Sequence, residues 1–260
     1  MSDSKPMAAN QDADREPGRG FPAWLRHTVM PVALAIVCLL LYLWIHSKQL
    51  DSIEQRSLNA QTISRLLLQH IELTLVSTVG VIAIAVPLGI LLTRRFMRRL
   101  TPAITAIVGI GQAVPSIGVL VLLAIAVGLG FWPAVAAFVL YTIVPVLRNT
   151  MVGLTQIDSA VIEAGRGMGM SRAAVLFRIE LPLAVPVMLA GIRTALVILV
   201  GTATLATFVS AGGLGQLIVT GNNLGRTTIL VTGGVLSAVL ALLIDWLAGI
   251  AEIWLRPRGL

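Results

Sequence analysis

Five apolar stretches decide what this chain can become. They cover residues 29–45, 71–93, 103–147, 186–209 and 228–250, and charged or Pro/Gly-rich segments separate them. About 20 apolar residues suffice for a helix to cross the hydrocarbon core of a bilayer. The third stretch is too long for one crossing, and Gly128, Gly130 and Pro133 mark a tight reversal inside it. Divided into 103–127 and 131–147, it brings the total to about six transmembrane helices. The expected class is an all-α integral membrane protein.

Composition excludes the soluble alternative. Only 12% of the 260 residues are charged and 57% are hydrophobic, with a mean hydropathy of +0.91. Soluble domains carry about 25% charged residues. The net charge of +7 would point to nucleic acid in a soluble protein. In a membrane protein the simpler reading is Lys and Arg retained in cytoplasmic loops, so no nucleic-acid partner is expected. The one cysteine, Cys38, lies in an apolar run and reads as a small packed hydrophobe.

Residues 1–28 mix charge, Pro and Gly and read as a disordered cytoplasmic tail. A cleaved signal peptide is the competing reading of 29–45. The long charge-mixed tail and the lack of a nearby A-x-A site favour an uncleaved span. Residues 46–70 read as a polar external linker, partly helical, before a core of 71–255 and a cytoplasmic end at 256–260. Lys and Arg fix the orientation. The tail, 94–102 and 148–185 hold four each and the C-terminus two, against Lys48, Arg56, Arg65 and Arg226 on the other side. The bias places both termini in the cytoplasm. Trp44, Trp132, Trp246 and Trp254 fall near span ends, and Trp24 lies before the first, as interface anchors do.

Catalytic constellations are missing. His27, His46 and His70 are scattered near expected span ends, and no C-x-x-C, H-E-x-x-H, G-x-S-x-G or P-loop pattern occurs. No metal site, bound cofactor or enzymatic activity is expected of this chain. Arg193 and Asp245 are the charged groups deepest in the spans; they either snorkel or pair. The third span carries Gln112, Pro115 and Ser116 near its midpoint. A proline kink there either borders a substrate path or is a packing kink. Tyr141, Thr142, Thr202 and Thr204 are weaker path candidates, because threonines also bond their own helix. Gly80, Gly89, Gly109, Gly111, Gly118, Gly191 and Gly201 permit close helix approach.

The polar insert 148–185 is read locally first. Asp158 caps a short helix, and Val161, Ala164, Gly165 and Met168 form one weakly apolar face at i, i+3, i+4, i+7. Gly169 supplies a left-handed end. Ser171 caps a second helix, RAAVLFRIEL, and Pro182 and Pro186 either limit it or lead into the next span. This is either a docking element for another protein or a solvated loop.

The pattern Glu163-Ala164, Gly169, Ile179, Leu181, Pro182 resembles the signature loop of ABC importer permeases. Gly165 stands where the commonest form has alanine; Gly167 falls within the same loop. QAVPSIGVL, LYTIVPVLRNTMVGL, LPLAVPVMLAGIRTA and GTATLATFVSAGGLG extend the likeness over about 71–250, to the osmoprotectant branch. The methionine and nitrate/sulfonate permeases share the loop and an A-G-G-L-G-like turn, here Ala211 to Gly215.

The resemblance implies a type I ABC importer permease, a methionine-permease-like bundle in a bacterial inner membrane. It implies import of glycine betaine, choline or carnitine. The loop would dock on two ATPase subunits, which alone use ATP. A second permease, same chain or sister, and a separate substrate-binding protein complete the assembly. Gly212, Gly213 and Gly215 would form a gate or turn. The open alternatives are another small solute, such as methionine or a sulfonate, an ion-coupled carrier, and a structural scaffold.

Overall fold

The structure is a computed structural model, and it describes residues 23–255 apart from Arg98 and Ala113, with side chains from Thr28 onward. The expected cytoplasmic tail falls largely outside the described residues, as do the side chains of Trp24 and His27 and residues 256–260. Every regular element among the described residues is helical. Among the described residues five helices are long and apolar enough to cross a membrane, and a bent pair makes a sixth crossing if it counts as one span.

The first span is α1, Ala23–His46. The expected linker 46–70 is mostly helix. Asp51 starts α2, Ser52–Ser57, with a reciprocal capping box to Glu54. Asn59 then caps α3, Ala60–Leu92, by accepting from the Thr62 N–H. At about 1.5 Å per residue, the 33 residues of α3 extend roughly 50 Å, well beyond a hydrocarbon core of about 30 Å. The helix therefore starts well before residue 71, although 71–92 alone is long enough to cross the core. Its polar first turns hide the helix from a hydropathy reading. Arg226 reaches Asp51 at 2.8 Å and ties α2 to the approach of the last helix.

The third span departs furthest from expectation. It is two helices, α4 (Thr101–Gly111) and α5 (Ser116–Val127), which meet at 91°. Pro115 is extended, with ψ 131°, and cannot donate a backbone bond, so the helix stops rather than kinks. Gly128 and Gly130, at φ +105° and +128°, then turn the chain into α6. The fourth span, α6, runs Phe131–Thr155 and overshoots its expected end by eight residues.

The insert is correspondingly shorter. It holds α7 (Ser159–Gly167) and α8 (Arg172–Val175); a π turn over Leu176–Glu180 leads directly into α9, Leu181–Ala203. Pro182 sits in the first turn of α9, where a missing N–H is tolerated, so it leads into the span instead of ending a helix. A 3-10 segment, Thr204–Val209, follows. The loop expected between the last two spans contains α10, Gly215–Asn223, before α11, Thr227–Leu255.

The core lies among α3, α6 and α9, with α5 against α6 and α10 and α1 against α11. Its centre includes Leu73, Val81, Leu120, Phe138, Leu147 and Leu199. Small residues set the helix spacing. A Cβ on Gly191 would stand 2.6 Å from the Asn149 Cβ, and one on Gly89 2.7 Å from a Thr150 methyl. Gly80 meets Val139 in the same way, whereas Gly111 and Gly201 face open space within this chain. Trp132 and Trp254 are 71% and 85% exposed.

Candidate functional site

The polar features gather at the two ends of α3. Gln69 and His70 lie near one end and Arg94 just past the other, roughly 36 Å apart along the helix axis.

At the Arg94 end stands the α7–α8 unit. The Asp158 carboxylate accepts from the Ala160 N–H at 2.9 Å, and Ser171 Oγ accepts from the Ala174 N–H at 3.2 Å. Gly169 has φ +84°, and the Met170 N–H donates back to the Gly165 carbonyl, which closes the helix end. The expected apolar face divides. Gly165 is buried and turned inward, where a Cβ would stand 2.6 Å from Ile179 Cδ1. Glycine at 165 thus reflects the contact with Ile179 and is not part of an outer face. Val161 and Met168 stay 43% and 76% exposed, beside exposed Ala164 and Glu163. Gly167 is also exposed, and Leu181 and Pro182 are half-buried at the root of α9. Exposed valine and methionine side chains on a capped helix form a surface suited to burial against another body.

Between this unit and the ends of α3 and α6 lies a cavity of about 640 Å³. Arg94 and Glu180 span its inner wall. Arg94 donates to both carboxylate oxygens, at 2.6 and 3.4 Å, and its Nε donates to the Ile90 carbonyl. Glu180 is 5% exposed, so this pair is the polar joint between α3 and the foot of α9.

At the opposite end, Ala211 to Gly215 fold onto α3. Gly212 and Gly213 have φ +82° and +91°, which only glycine adopts without strain. The Gly213 N–H donates to Gln69 Oε1 at 3.3 Å, and the Leu214 N–H to His70 Nδ1 at 3.2 Å. His70 Nε2 stands 3.0 Å from the Val200 carbonyl. A carbonyl only accepts, so Nε2 carries the proton and the ring is a neutral clamp between α3, α9 and the turn. A side chain on Gly215 would run into the Thr204 carbonyl. His70 is fully buried within α3. Sequence reading passed over it, and the only available signal was the adjacent Gln69–His70 pair.

The remaining candidates lie apart. Gln112 and Ser116 are half-buried and Pro115 exposed at the α4–α5 break. Tyr141, Thr202 and Thr204 are half-buried, and the two threonines bond their own helix, at Ile198 and Gly201. Thr142 is fully buried, and its hydroxyl donates to the Phe138 carbonyl at 2.6 Å. Arg193 binds Asp245 through two bonds, of 2.6 and 2.8 Å, with Glu252 at 3.7 Å beyond. No cluster of metal-ligating side chains occurs among the described residues.

Residues 85–257 match the binding-protein-dependent transport system inner membrane component family. The chain belongs to that family. It is an integral-membrane permease subunit, and its bundle is the type I ABC importer permease fold. A chain of the MetNI methionine ABC transporter in an inward-facing conformation superposes with a TM-score of 0.68. That match is 26% identical and covers 75% of this permease and 96% of its neighbour. An amino acid ABC transporter matches at TM-score 0.64 and 14% identity, a likeness of fold alone.

Curated relatives are closer in sequence. The choline transport system permease protein OpuBB of Bacillus subtilis is 40% identical over 192 residues, 74% of this permease and 88% of the relative. The carnitine transport permease protein OpuCD of Listeria monocytogenes is 43% identical over 187 residues, 70% and 83% of the two chains. The osmoprotectant import permease protein OsmY of Salmonella typhimurium is 34% identical over 212 residues, 82% and 89%.

Proposed function

We propose that this permease forms the translocation path of an ATP-driven importer for osmoprotectants such as glycine betaine, choline or carnitine. The observation that carries the coupling role is α7, capped by Asp158, closed by Gly169 and seated by Gly165 under Ile179, with Val161 and Met168 left outside. That face docks into a cleft of a cytoplasmic ATPase, one on each of two permeases. Closure of the ATPase pair moves α7, and the Arg94–Glu180 joint passes the motion to α3 and α9. ATP is bound and hydrolysed by the partner alone. A binding protein delivers solute at the end formed by α2, α10 and the 211–215 turn. Both termini lie in the cytoplasm.

Gln112, Pro115 and Ser116 line the path at the α4–α5 break, with Tyr141, Thr202 and Thr204 contributing from the neighbouring spans. Gly212, Gly213 and Gly215 shape the gate. The substrate class is supported by the names of the choline, carnitine and osmoprotectant relatives. Methionine import is the second reading, favoured by the fold match to a methionine transporter.

Photo-crosslinking from position 168 tests the docking role. A crosslinker at Met168→Cys is expected to capture the ATPase subunit. One at Lys48→Cys, at the other end of the bundle, is expected not to. Equal capture from both positions would remove α7 from the coupling role.

A further inference from the structure

The cavity behind α7 has a chemistry that transport leaves unused. Four arginines line it, Arg94, Arg95, Arg166 and Arg172, against one acidic residue, Glu180. Arg94 already holds both oxygens of that carboxylate. Among the described residues no acidic group lies within ion-pair distance of Arg95, Arg166 or Arg172. Three uncompensated positive charges, from the end of α3, from α7 and from α8, therefore converge on one concave surface. All three are exposed, so water and salt screen their repulsion in part, and an anion seated among them would relieve the rest. Guanidinium is the side-chain group best shaped for phosphate, which it grips with two parallel N–H bonds.

The surroundings point to where the anion comes from. The apolar part of α3 ends at Leu92, so the cavity mouth lies where hydrocarbon gives way to headgroups. Phe96 lines the cavity and is 72% exposed; nearby Leu91 and Leu100 are 40% and 54% exposed. A basic recess with an apolar shoulder at this level suits a phospholipid headgroup, with its acyl chains beside the shoulder.

We propose that Arg95, Arg166 and Arg172 form a binding site for a phosphate-bearing anion in the cavity between α7 and the end of α3. The apolar shoulder favours the headgroup of an anionic phospholipid over free phosphate. Occupancy ties α7 to α3 through the anion, beside the direct Arg94–Glu180 joint. The site rests on the cavity and its charges, and it holds whether or not α7 docks an ATPase.

Native mass spectrometry of the full-length chain in detergent tests this, with phosphatidylglycerol or phosphatidylcholine titrated in. The wild type is expected to retain one phosphatidylglycerol in preference to phosphatidylcholine. The combined R95Q, R166Q and R172Q substitutions are expected to weaken that retention by about tenfold or more. R95Q alone, an exposed position that cannot unfold the core, is expected to weaken it measurably. R99Q removes a nearby charge that does not line the cavity and is expected to leave it unchanged. Inorganic phosphate at millimolar concentration separates the sources: failure to displace the lipid supports the headgroup, and displacement supports the same site with free phosphate as its ligand. Equal retention in wild type and triple variant would overturn the proposal. So would a wild type that binds neither phosphatidylglycerol nor phosphate above phosphatidylcholine, or arginines that gain protection only when an ATPase subunit is added.

Discussion

Leu214 gives its amide proton to Nδ1 of His70 over 3.2 Å, across 144 positions of sequence. The same ring gives its Nε2 proton to the Val200 carbonyl at 3.0 Å. One neutral imidazole thus holds the 211–215 turn against α3 and α9. Replacing it with alanine leaves two buried backbone groups without partners, each costing about 1–3 kcal/mol. His70→Ala is expected to lower the thermal unfolding temperature of the purified chain by several degrees, while His46→Ala, at an exposed site, is expected to leave it unchanged. Equal stability of the two variants would show that the clamp carries little energy.

The turn makes a second, steric demand. A methyl on Gly215 meets the Thr204 carbonyl, whereas one on Gly234 meets nothing within 4 Å. Gly215→Ala is expected to destabilise by roughly 1–3 kcal/mol through forced displacement of α10. Gly234→Ala is expected to be neutral or slightly stabilising, because it removes a glycine from a helix interior. Thermal unfolding of the pair reads the difference.

Arg193 and Asp245 form a two-bond pair with side-chain exposures of 39% and 32%. Partial exposure puts its worth below that of a sealed pair. Arg193→Leu or Asp245→Leu alone is expected to cost about 1–2 kcal/mol by stranding one charge. The double substitution is expected to recover part of that loss, because both members of the pair go together and only the longer Arg193–Glu252 contact at 3.7 Å is lost. Additive losses in the double variant would show that the two side chains act independently.

At the α4–α5 break, cysteines placed at Gln112, Pro115 and Ser116 are expected to react with a small water-soluble thiol reagent, and one at Thr142 is expected to resist it. Protection of all four throughout the transport cycle would assign the break to packing alone.

How much of this was legible in sequence depends on how polarity was distributed. Spans such as 228–250 announced themselves because their apolar run nearly fills the helix. The start of α3 did not. Gln61, Ser64, Arg65, Gln69 and His70 read as a linker, yet the helix runs unbroken from Ala60 because Asn59 caps it and the 211–215 turn satisfies the polar pair. The caps at Asp158 and Ser171 and the left-handed Gly169 were readable, since each is a local residue preference. The inward turn of Gly165 onto Ile179 and the joining of Arg94 to Glu180, 86 positions apart, were not, because they depend on tertiary contacts. Pro115 announced a disturbance without its size: a proline kink and a 91° break share the same residue.

The α7 reading predicts separation of folding from function. Glu163→Lys and Gly169→Val lie on exposed positions, so membrane insertion and thermal stability are expected to stay within about 1–2 kcal/mol of the wild type. Uptake is expected to fall at least tenfold, because the first reverses a charge on the docking face and the second strains a φ of +84°. Normal uptake by both variants would place coupling elsewhere.

The central claim is ATP-driven osmoprotectant import. Its most direct measurement is solute accumulation in vesicles that hold this permease, its ATPase and its binding protein, with glycine betaine, choline, carnitine and methionine compared. The expected result is saturable uptake of at least one quaternary amine that requires ATP and all the protein components. Uptake that an ion gradient drives without the ATPase would contradict it, as would accumulation of methionine alone.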